Sequence, residues 1–195
     1  MSARLTAQMA FLMEADKLKQ ITRATKLADG SRYENSGEHS WHIALFALVL
    51  GADAPSGVRV DRVIRMLLLH DIVEIDAGDA PIFGDHDPAD MAAAEQAAAE
   101  RLFGLLPPDQ GAEFRALWEE FEAAETPDAR FAKSLDRFQP PNQNLAADGG
   151  SWADYGTRYD QFEARVGTQI KRGAPWLWDW LKPKAAAWFE ARGKL

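Results

Sequence analysis

The sequence predicts an all-α fold: a single helical bundle of about seven or eight helices that occupies residues 1–195. No segment shows sustained alternation of apolar and polar residues, or a β-branched run between turns, as strands would require. Apolar residues instead recur at helical spacing along most of the chain. With 195 residues, of which 47% are hydrophobic, the chain is long enough for one domain with a sizeable core.

The first three predicted helices span residues 5–26, 37–52 and 62–79. The first carries its apolar residues on one stripe. The second is apolar almost all round, and such a helix belongs in the middle of a fold. The third begins as an amphipathic helix, with apolar residues at helical spacing.

The remaining helices follow after a loop. An Ala-rich segment over residues 89–105 has strong helix propensity. A Pro-Pro-Asp sequence starts the helix over residues 109–124, and a Thr-Pro-Asp sequence caps the helix that follows it. Pro140 and Pro141 are expected to break or kink that helix. Two more helices are predicted after residue 154, with several Trp residues as packing anchors.

Composition limits the possible functions. The chain has no cysteine, which excludes disulfides and thiolate metal sites, and we expect a cytoplasmic location. The formal net charge of -8 argues against a nucleic-acid polymer as partner. A small phosphorylated substrate is compatible with this charge, because a few local cations suffice to hold one phosphate. The longest uncharged apolar run, residues 43–52, is too short to cross a bilayer, so we expect no membrane association.

The third predicted helix changes character near its end. Its apolar stripe is followed on the same face by the adjacent His70 and Asp71 and then by Glu74, which is four residues after His70 and three after Asp71. Buried charge is costly unless it is paired or metal-bound. His39 and Asp136 are polar residues of the same kind on two other helices. Two imidazoles and two carboxylates from His39, His70, Asp71 and Asp136 would suit a divalent ion such as Mn²⁺, Co²⁺, Zn²⁺ or Mg²⁺.

Three spaced motifs carry a family resemblance. They are R-x-E-N-x-x-E-H-S-W-H over residues 32–42, H-D-x-x-E-x-x-x-G-D over residues 70–79, and L-D-R-x-Q-P over residues 135–140. In this order they resemble the HD-domain metal-dependent phosphohydrolases. The branch they are most similar to includes the bacterial 5′-deoxynucleotidases and their eukaryotic relatives. The resemblance extends over residues 18–144 at least.

The resemblance implies roles for individual residues. His39, His70, Asp71 and Asp136 match the metal ligands of the family. Glu74 and Asp79 match its two acids near the scissile phosphate. Glu74 would orient or deprotonate the attacking water, and Asp79 would protonate the leaving 5′ oxygen. A homodimer is a further expectation from the family.

Cations are also needed to bind a phosphate. Arg23 and Arg32 precede His39, and Lys133 lies three residues before Asp136 on the same helical face. These three are the candidate substrate-binding residues. The alternative for Arg32 and Lys133 is a solvated charge or a salt bridge. His42, one turn after His39, is expected to pack or to hydrogen-bond near the site without binding the ion.

The leading hypothesis is a metal-dependent nucleotidase that hydrolyses (deoxy)nucleoside 5′-monophosphates to nucleoside and phosphate. The deoxynucleotidases carry an Arg-Trp pair that helps to select deoxyribose, whereas Arg23 is followed here by Ala24. The preference between ribose and deoxyribose therefore stays open. Two alternatives are an HD phosphohydrolase acting on another phosphoester or a pyrophosphate, and a non-catalytic nucleotide-binding HD module.

Overall fold

The computed structural model describes residues 2–195, which form helices and one small antiparallel sheet of two strands. The all-α fold class is confirmed. In chain order the elements are α1 (Ala3–Ala15), β1 (Thr22–Lys26), β2 (Tyr33–Asn35), α2 (Ser36–Leu50), α3 (Val60–Leu69), α4 (Glu74–Ala77), α5 (Pro88–Phe103), α6 (Pro108–Ala123), α7 (Pro127–Ala146), α8 (Gly150–Asp154), α9 (Tyr159–Phe162), α10 (Thr168–Gly173) and α11 (Pro175–Glu190). The short α4, α8 and α9 bring the helical segments above the predicted seven or eight.

The β1–β2 hairpin replaces the end of the first predicted helix. Helix α1 ends at Ala15, a 3₁₀ turn covers Asp16–Gln20, and the chain then becomes extended. The prediction of a helix to residue 26 is therefore wrong in its second half. The β-branched Thr22 and Thr25 favour a strand, and the turn between the strands uses Gly30 at φ +70°. The hairpin places residue 23 beside residue 34.

Helix α2 begins with a capping box. The Asn35 side chain accepts from the Glu38 backbone N–H, and the Glu38 carboxylate accepts from the Asn35 N–H. This fixes the first turn, on which His39 is fully buried. The helix is apolar on both sides, as expected, but only its inner side is buried. Leu48 and Val49 on the outer side are 64% and 69% exposed.

The third predicted helix is two helices joined by a tight turn. Helix α3 ends at Leu69, residues 70–73 form the turn, and α4 begins at Glu74. In the turn the hydrogen bonds tighten to i→i+3, including Glu74 N–H to Asp71 O at 3.0 Å. The turn keeps His70, Asp71 and Glu74 buried.

Helix α7 runs without a break from Pro127 to Ala146. The predicted break at Pro140 and Pro141 is therefore wrong. Each proline removes one backbone N–H from the helix. In the same turn the Asn142 side chain donates to the Phe138 carbonyl at 2.6 Å. Because the helix continues, its buried face carries Asp136 and also residues a turn or two beyond it.

The C-terminal third packs an aromatic cluster against α7. It consists of Trp152, Phe162, Trp178, Trp188 and Phe189, whose ring centroids lie 4.9–5.7 Å apart in the contacting pairs. Helix α10 approaches α7 so closely that a Cβ at Gly173 would lie 2.1 Å from the Arg130 carbonyl oxygen. Buried residues from Phe11 in α1 to Phe189 in α11 form one hydrophobic cluster. The single-domain assignment stays a prediction.

Across residues 2–195, no helix combines the length and the apolar character needed to cross a bilayer.

Candidate metal centre

Three buried side chains from three helices converge at the centre of the molecule. His39 comes from the first turn of α2, His70 from the residue after α3, and Asp136 from the middle of α7. One potential ligand atom from each lies within 4.8 Å of the other two. His39 Nε2 is 3.1 Å from Asp136 Oδ1, and His70 Nε2 is 3.9 Å from the same oxygen. This spacing could accommodate a single metal ion.

The hydrogen bonds of His70 leave one ring nitrogen facing the cluster. Its Nδ1–H donates to the Leu67 carbonyl at 2.8 Å. In the neutral ring the Nε2 atom then carries a lone pair, and it makes no hydrogen bond within residues 2–195. It nevertheless lies 2.8 Å from Asp71 Oδ1, which is also an acceptor. Two acceptors at this distance repel each other unless a cation or a proton lies between them. The pair therefore fits a metal ion.

His39 is held in the same tautomer by a glutamine. Gln139 donates from Nε2 to Glu34 Oε2 and to His42 Nδ1, both at 3.2 Å, so its Oε1 faces His39 Nδ1 at 3.1 Å. An amide oxygen only accepts, hence the hydrogen is on Nδ1 of His39. The Nε2 atom of His39 faces Asp136 Oδ1 at 3.1 Å, and it offers a lone pair to an ion when the ring is neutral. Second partners of this kind fix the orientation of metal-binding imidazoles.

Two further contacts complete this buried network. Glu34 is 1% exposed and also accepts from Gln143 at 3.0 Å. Burial lowers the pKa of His42, which suits its role as a neutral acceptor. The geometry places His42 next to the site without facing the cluster, in line with the expectation from its spacing.

The charge around the cluster is strongly negative. Burial acts to lower the pKa of His39, but hydrogen bonds with Asp136 and Glu34 outweigh it and raise that pKa to about 9. Burial acts to raise the pKa of Asp136, but the neighbouring Arg137 and His39 hold it well below its usual range. Surroundings that favour a proton on His39 also favour a divalent cation.

Asp71 lies at the edge of the cluster. It is not part of the group of three, and its Oδ2 accepts from Arg23 Nη1 at 2.9 Å. Its Oδ1 faces His70, as described. Burial acts to raise the pKa of Asp71, but His70 and Arg23 keep it far below its ordinary value. Three of the four predicted ligands are thus brought together, and the fourth is adjacent to them.

Glu74 and Asp79 share Arg23 with Asp71. Arg23 Nη1 is 3.7 Å from Glu74 Oε1 and 3.5 Å from Asp79 Oδ1. The Ser36 hydroxyl donates to Glu74 Oε2 at 2.6 Å. Burial, helped by the charge of Asp71, raises the pKa of Glu74 well above its usual value, and burial also raises the pKa of Asp79. Perturbed carboxyls in a cavity are typical of acid–base sites.

A cavity opens from the cluster to the surface. Two of the three predicted cations line it, and the third does not. Arg23 and Lys133 line it together with Glu74 and Asp79. Lys133 is ion-paired with Glu122 at 3.1 Å. Arg32 does not line the cavity, because it forms a salt bridge with Glu38 at 2.6 Å and has 54% of its side chain exposed. The structure thus brings two of the three predicted cations to the site.

Three residues at the site were missed by the sequence analysis: Glu34, Gln139 and Arg137. Arg137 lines the cavity, and its Nε is 3.6 Å from Asp136 Oδ2. All three lie inside the motifs that carried the resemblance. For Glu34 and Gln139 the available signal was a polar residue at a buried strand or helical position, whose partner must lie nearby. Arg137 is partly exposed and gave no such signal.

The fold and the site together define a helical protein whose buried His–His–Asp cluster could hold a metal ion. The sequence profile described as HD domain matches residues 15–178. The chain belongs to the HD domain family.

Several known proteins are similar to this chain. The human protein named 5′-deoxynucleotidase HDDC2 is 29% identical over 130 residues, which are 66% of this chain and 62% of the human protein. The Xenopus laevis protein of the same name is 32% identical over 166 residues, covering 82% of this chain and 72% of that protein. The chain thus spans only 62% of the length of the human relative.

A solved structure resembles the whole chain. It is described as a predicted metal-dependent phosphohydrolase from Magnetospirillum magnetotacticum MS-1. It is 48% identical, covers 100% of this chain and 99% of its own, and superposes with a TM-score of 0.92. The fold is therefore shared over the full length of both chains.

Proposed function

We propose that this chain is a metal-dependent phosphomonoesterase that hydrolyses nucleoside 5′-monophosphates to nucleoside and phosphate. The observation that carries the proposal is the position of Glu74 and Asp79. Two carboxyls with raised pKa values line the same cavity as His70 and Asp136 of the cluster. The relatives named 5′-deoxynucleotidase support nucleotides as the substrate class.

His39, His70 and Asp136 would hold the ion, with Asp71 beside them. When bound, a divalent ion supplies Lewis acidity toward water and toward the phosphoryl oxygens. The two histidines present their Nε2 lone pairs to it because Leu67 and Gln139 accept from their Nδ1–H groups. The protein thereby keeps the cluster arranged for binding before the ion arrives.

Glu74 would accept the proton of the attacking water. Its Oε2 is held by the Ser36 hydroxyl at 2.6 Å, and Arg23 lies 3.7 Å from its Oε1. Burial makes the carboxylate more basic than a solvated one, while the nearby guanidinium favours its ionised form. The bond from phosphorus to the water oxygen forms as this proton leaves.

Asp79 would deliver a proton to the leaving 5′ oxygen as its bond to phosphorus breaks. Its raised pKa keeps a larger fraction of the carboxyl protonated than in solution. Glu74 gains one proton and Asp79 loses one, so the reaction releases a neutral nucleoside and phosphate.

Ala24 bears on sugar selection. It lines the cavity directly after Arg23, at the position where the deoxynucleotidases carry Trp. A methyl side chain leaves room that an indole would fill. We therefore propose that ribo- and deoxyribonucleotides are both accepted.

Phosphate release tests the proposal. The protein is stripped with a chelator, reloaded with Mn²⁺, Co²⁺, Zn²⁺ or Mg²⁺, and mixed with ribo- and deoxyribonucleoside 5′-monophosphates. We expect release that depends on the ion and is lost in Asp136→Asn. Pyrophosphate and nucleoside 3′-monophosphates in the same screen test the alternative phosphohydrolase. Absence of release from every 5′-monophosphate with every ion would refute the nucleotidase assignment.

We also propose that the chain works as a homodimer in the cytoplasm. The support for the dimer is an exposed apolar surface on α2 and α11, where Trp41 is 63%, Leu48 64%, Val49 69% and Trp180 50% exposed. A sequence without cysteine suits the reducing cytoplasm. Light scattering should give the mass of two chains for the wild type and of one chain for Val49→Glu. A monomeric wild type would contradict this.

A further inference from the structure

Among residues 2–195, Arg137 differs from the other cations of the cavity in that its side chain has no hydrogen-bond partner. Arg23 donates to Asp71 at 2.9 Å, and Lys133 donates to Glu122 at 3.1 Å. Within residues 2–195, Arg137 makes no side-chain hydrogen bond, and its one ion-pair contact is Nε to Asp136 Oδ2 at 3.6 Å. A guanidinium offers five N–H donors in a planar fork, so nearly all of this capacity is free.

Arg137 is positioned so that its unused N–H donors can reach a molecule in the cavity. It follows Asp136 directly on α7, lines the cavity, and has 32% of its side chain exposed. It is therefore next to a cluster residue and still open to a molecule that enters. A surface arginine without partners would need no explanation, but this one is partly enclosed among acids.

The charge balance of the cavity explains why a free cation is needed. Six acidic side chains line it against three cationic ones: Asp71, Glu74, Asp79, Glu95, Glu122 and Asp136 against Arg23, Lys133 and Arg137. An incoming phosphate monoester carries up to two negative charges and would be repelled. Arg23 and Lys133 are already engaged, so Arg137 is the cation left to meet it.

We propose that Arg137 binds the phosphoryl oxygens of the substrate, an inference that rests on the proposed phosphohydrolase function. The planar fork suits two oxygens of one phosphate at once. Arg32 was predicted to bind the substrate, but it lies outside the cavity. In this proposal Arg137 binds the phosphate instead.

The proposal predicts different effects of removing Arg137 on metal binding and on phosphate binding, whereas a purely structural role predicts the same effect on both. A positive charge 3.6 Å from Asp136 Oδ2 repels a metal ion bound by that carboxylate. Removing it should leave metal affinity unchanged or tighten it, while phosphate binding weakens. An arginine that merely maintained the fold would weaken both when removed.

The test measures binding of inorganic phosphate to Mn²⁺-loaded protein by calorimetry. Arg137→Gln should raise the Kd for phosphate about 10- to 100-fold, the loss expected for charge-assisted hydrogen bonds, without weakening Mn²⁺ binding. The Kd for phosphate of Arg137→Lys should lie between those of the wild type and Arg137→Gln. Arg130→Gln is the matched control, since Arg130 is on the same helix, pairs with Glu125 at 2.9 Å and does not line the cavity.

Wild-type affinity for phosphate in Arg137→Gln would overturn the proposal, as would a parallel loss of Mn²⁺ and phosphate binding. Failure of the wild-type protein to bind phosphate when loaded would also overturn it. The measurement needs no turnover. If phosphate binding depends on Arg137 but no 5′-monophosphate is hydrolysed, the nucleotidase assignment alone fails.

Discussion

Replacing Arg23 by Gln should destabilise the metal-free protein more than any other single charge removal at the site. One guanidinium faces four carboxylates, three of them buried: its Nη1 contacts Asp71 at 2.9 Å, the half-buried Asp79 at 3.5 Å and Glu74 at 3.7 Å, and its Nε is 3.5 Å from Glu34. Only 12% of the Arg23 side chain is exposed. The variant leaves the acids without their shared cation.

The size of the effect follows from burial. Removing one partner of a buried ion pair costs about 3–5 kcal/mol. For a chain of this length each kcal/mol lowers Tm by about 2–4 °C, so Arg23→Gln should melt about 6–20 °C below the wild type at neutral pH.

The loss of thermal stability in Arg23→Gln should be larger at high pH than at low pH. In the wild type the pKa of Asp71 is depressed, so its stabilising contribution is present at neutral pH and disappears only in acid. Without Arg23 the buried carboxylates resist ionisation, and their folded-state pKa values rise. The deficit in Tm should therefore shrink as the pH is lowered from about 8 to about 5.5. A divalent ion that binds beside Asp71 should also restore part of the Tm that Arg23→Gln loses.

The assay is thermal melting of the chelated protein, followed by circular dichroism across this pH range. Arg23→Lys keeps the charge and should lie between wild type and Arg23→Gln. Arg32→Gln is the matched control, because it breaks only an exposed pair with Glu38 and should lower Tm much less than Arg23→Gln does. An Arg23→Gln deficit no larger than the Arg32→Gln deficit, or one that grows in acid, would refute the electrostatic reasoning.

Three other predictions concern the chemistry of the site. Gln139→Leu removes the acceptor that fixes the His39 tautomer and should weaken Zn²⁺ binding about 10- to 100-fold by competition titration; unchanged affinity would contradict this role. Glu74→Gln should lower kcat about 100- to 10,000-fold while the protein still binds one ion, and full turnover would exclude Glu74 as the base. Asp79→Asn should slow hydrolysis of a nucleoside 5′-monophosphate much more than that of p-nitrophenyl phosphate, whose leaving group needs no proton. Equal losses for both substrates would argue against Asp79 as the acid.

The sequence was most informative where burial and helical spacing act together. His70, Asp71 and Glu74 could be placed on one buried surface from spacing alone, although a tight turn and not a continuous helix brings them there. The convergence of His39 and Asp136 on His70 depends on packing between helices that are distant in the chain. Their residue types and helical positions made them candidate ligands, and the family resemblance supported the grouping before the structure did.

The errors have local physical causes. The hairpin at β1 and β2 is set by cross-strand pairing, which a short Thr-containing segment does not reveal in a chain of helices. Helix α7 continues through Pro140 and Pro141 while it packs against α3, α6, α10 and α11, and such tertiary contacts override the intrinsic preference to break. Arg32 and Arg137 could not be ranked from sequence, since each is an arginine inside one of the three motifs. Arg32 pairs with Glu38 and Arg137 contacts Asp136, and both contacts are properties of the folded chain.

The most direct test of the central claim is the position of a bound ion. A crystal of the protein loaded with Zn²⁺ should show one anomalous peak per chain, at about 2.0–2.2 Å from the Nε2 atoms of His39 and His70 and from a carboxylate oxygen of Asp136. Asp71 should be the fourth ligand or a hydrogen-bond partner of one. A peak elsewhere, or none at this cluster with Zn²⁺ in excess, would contradict the assignment of the metal centre and the proposed chemistry with it.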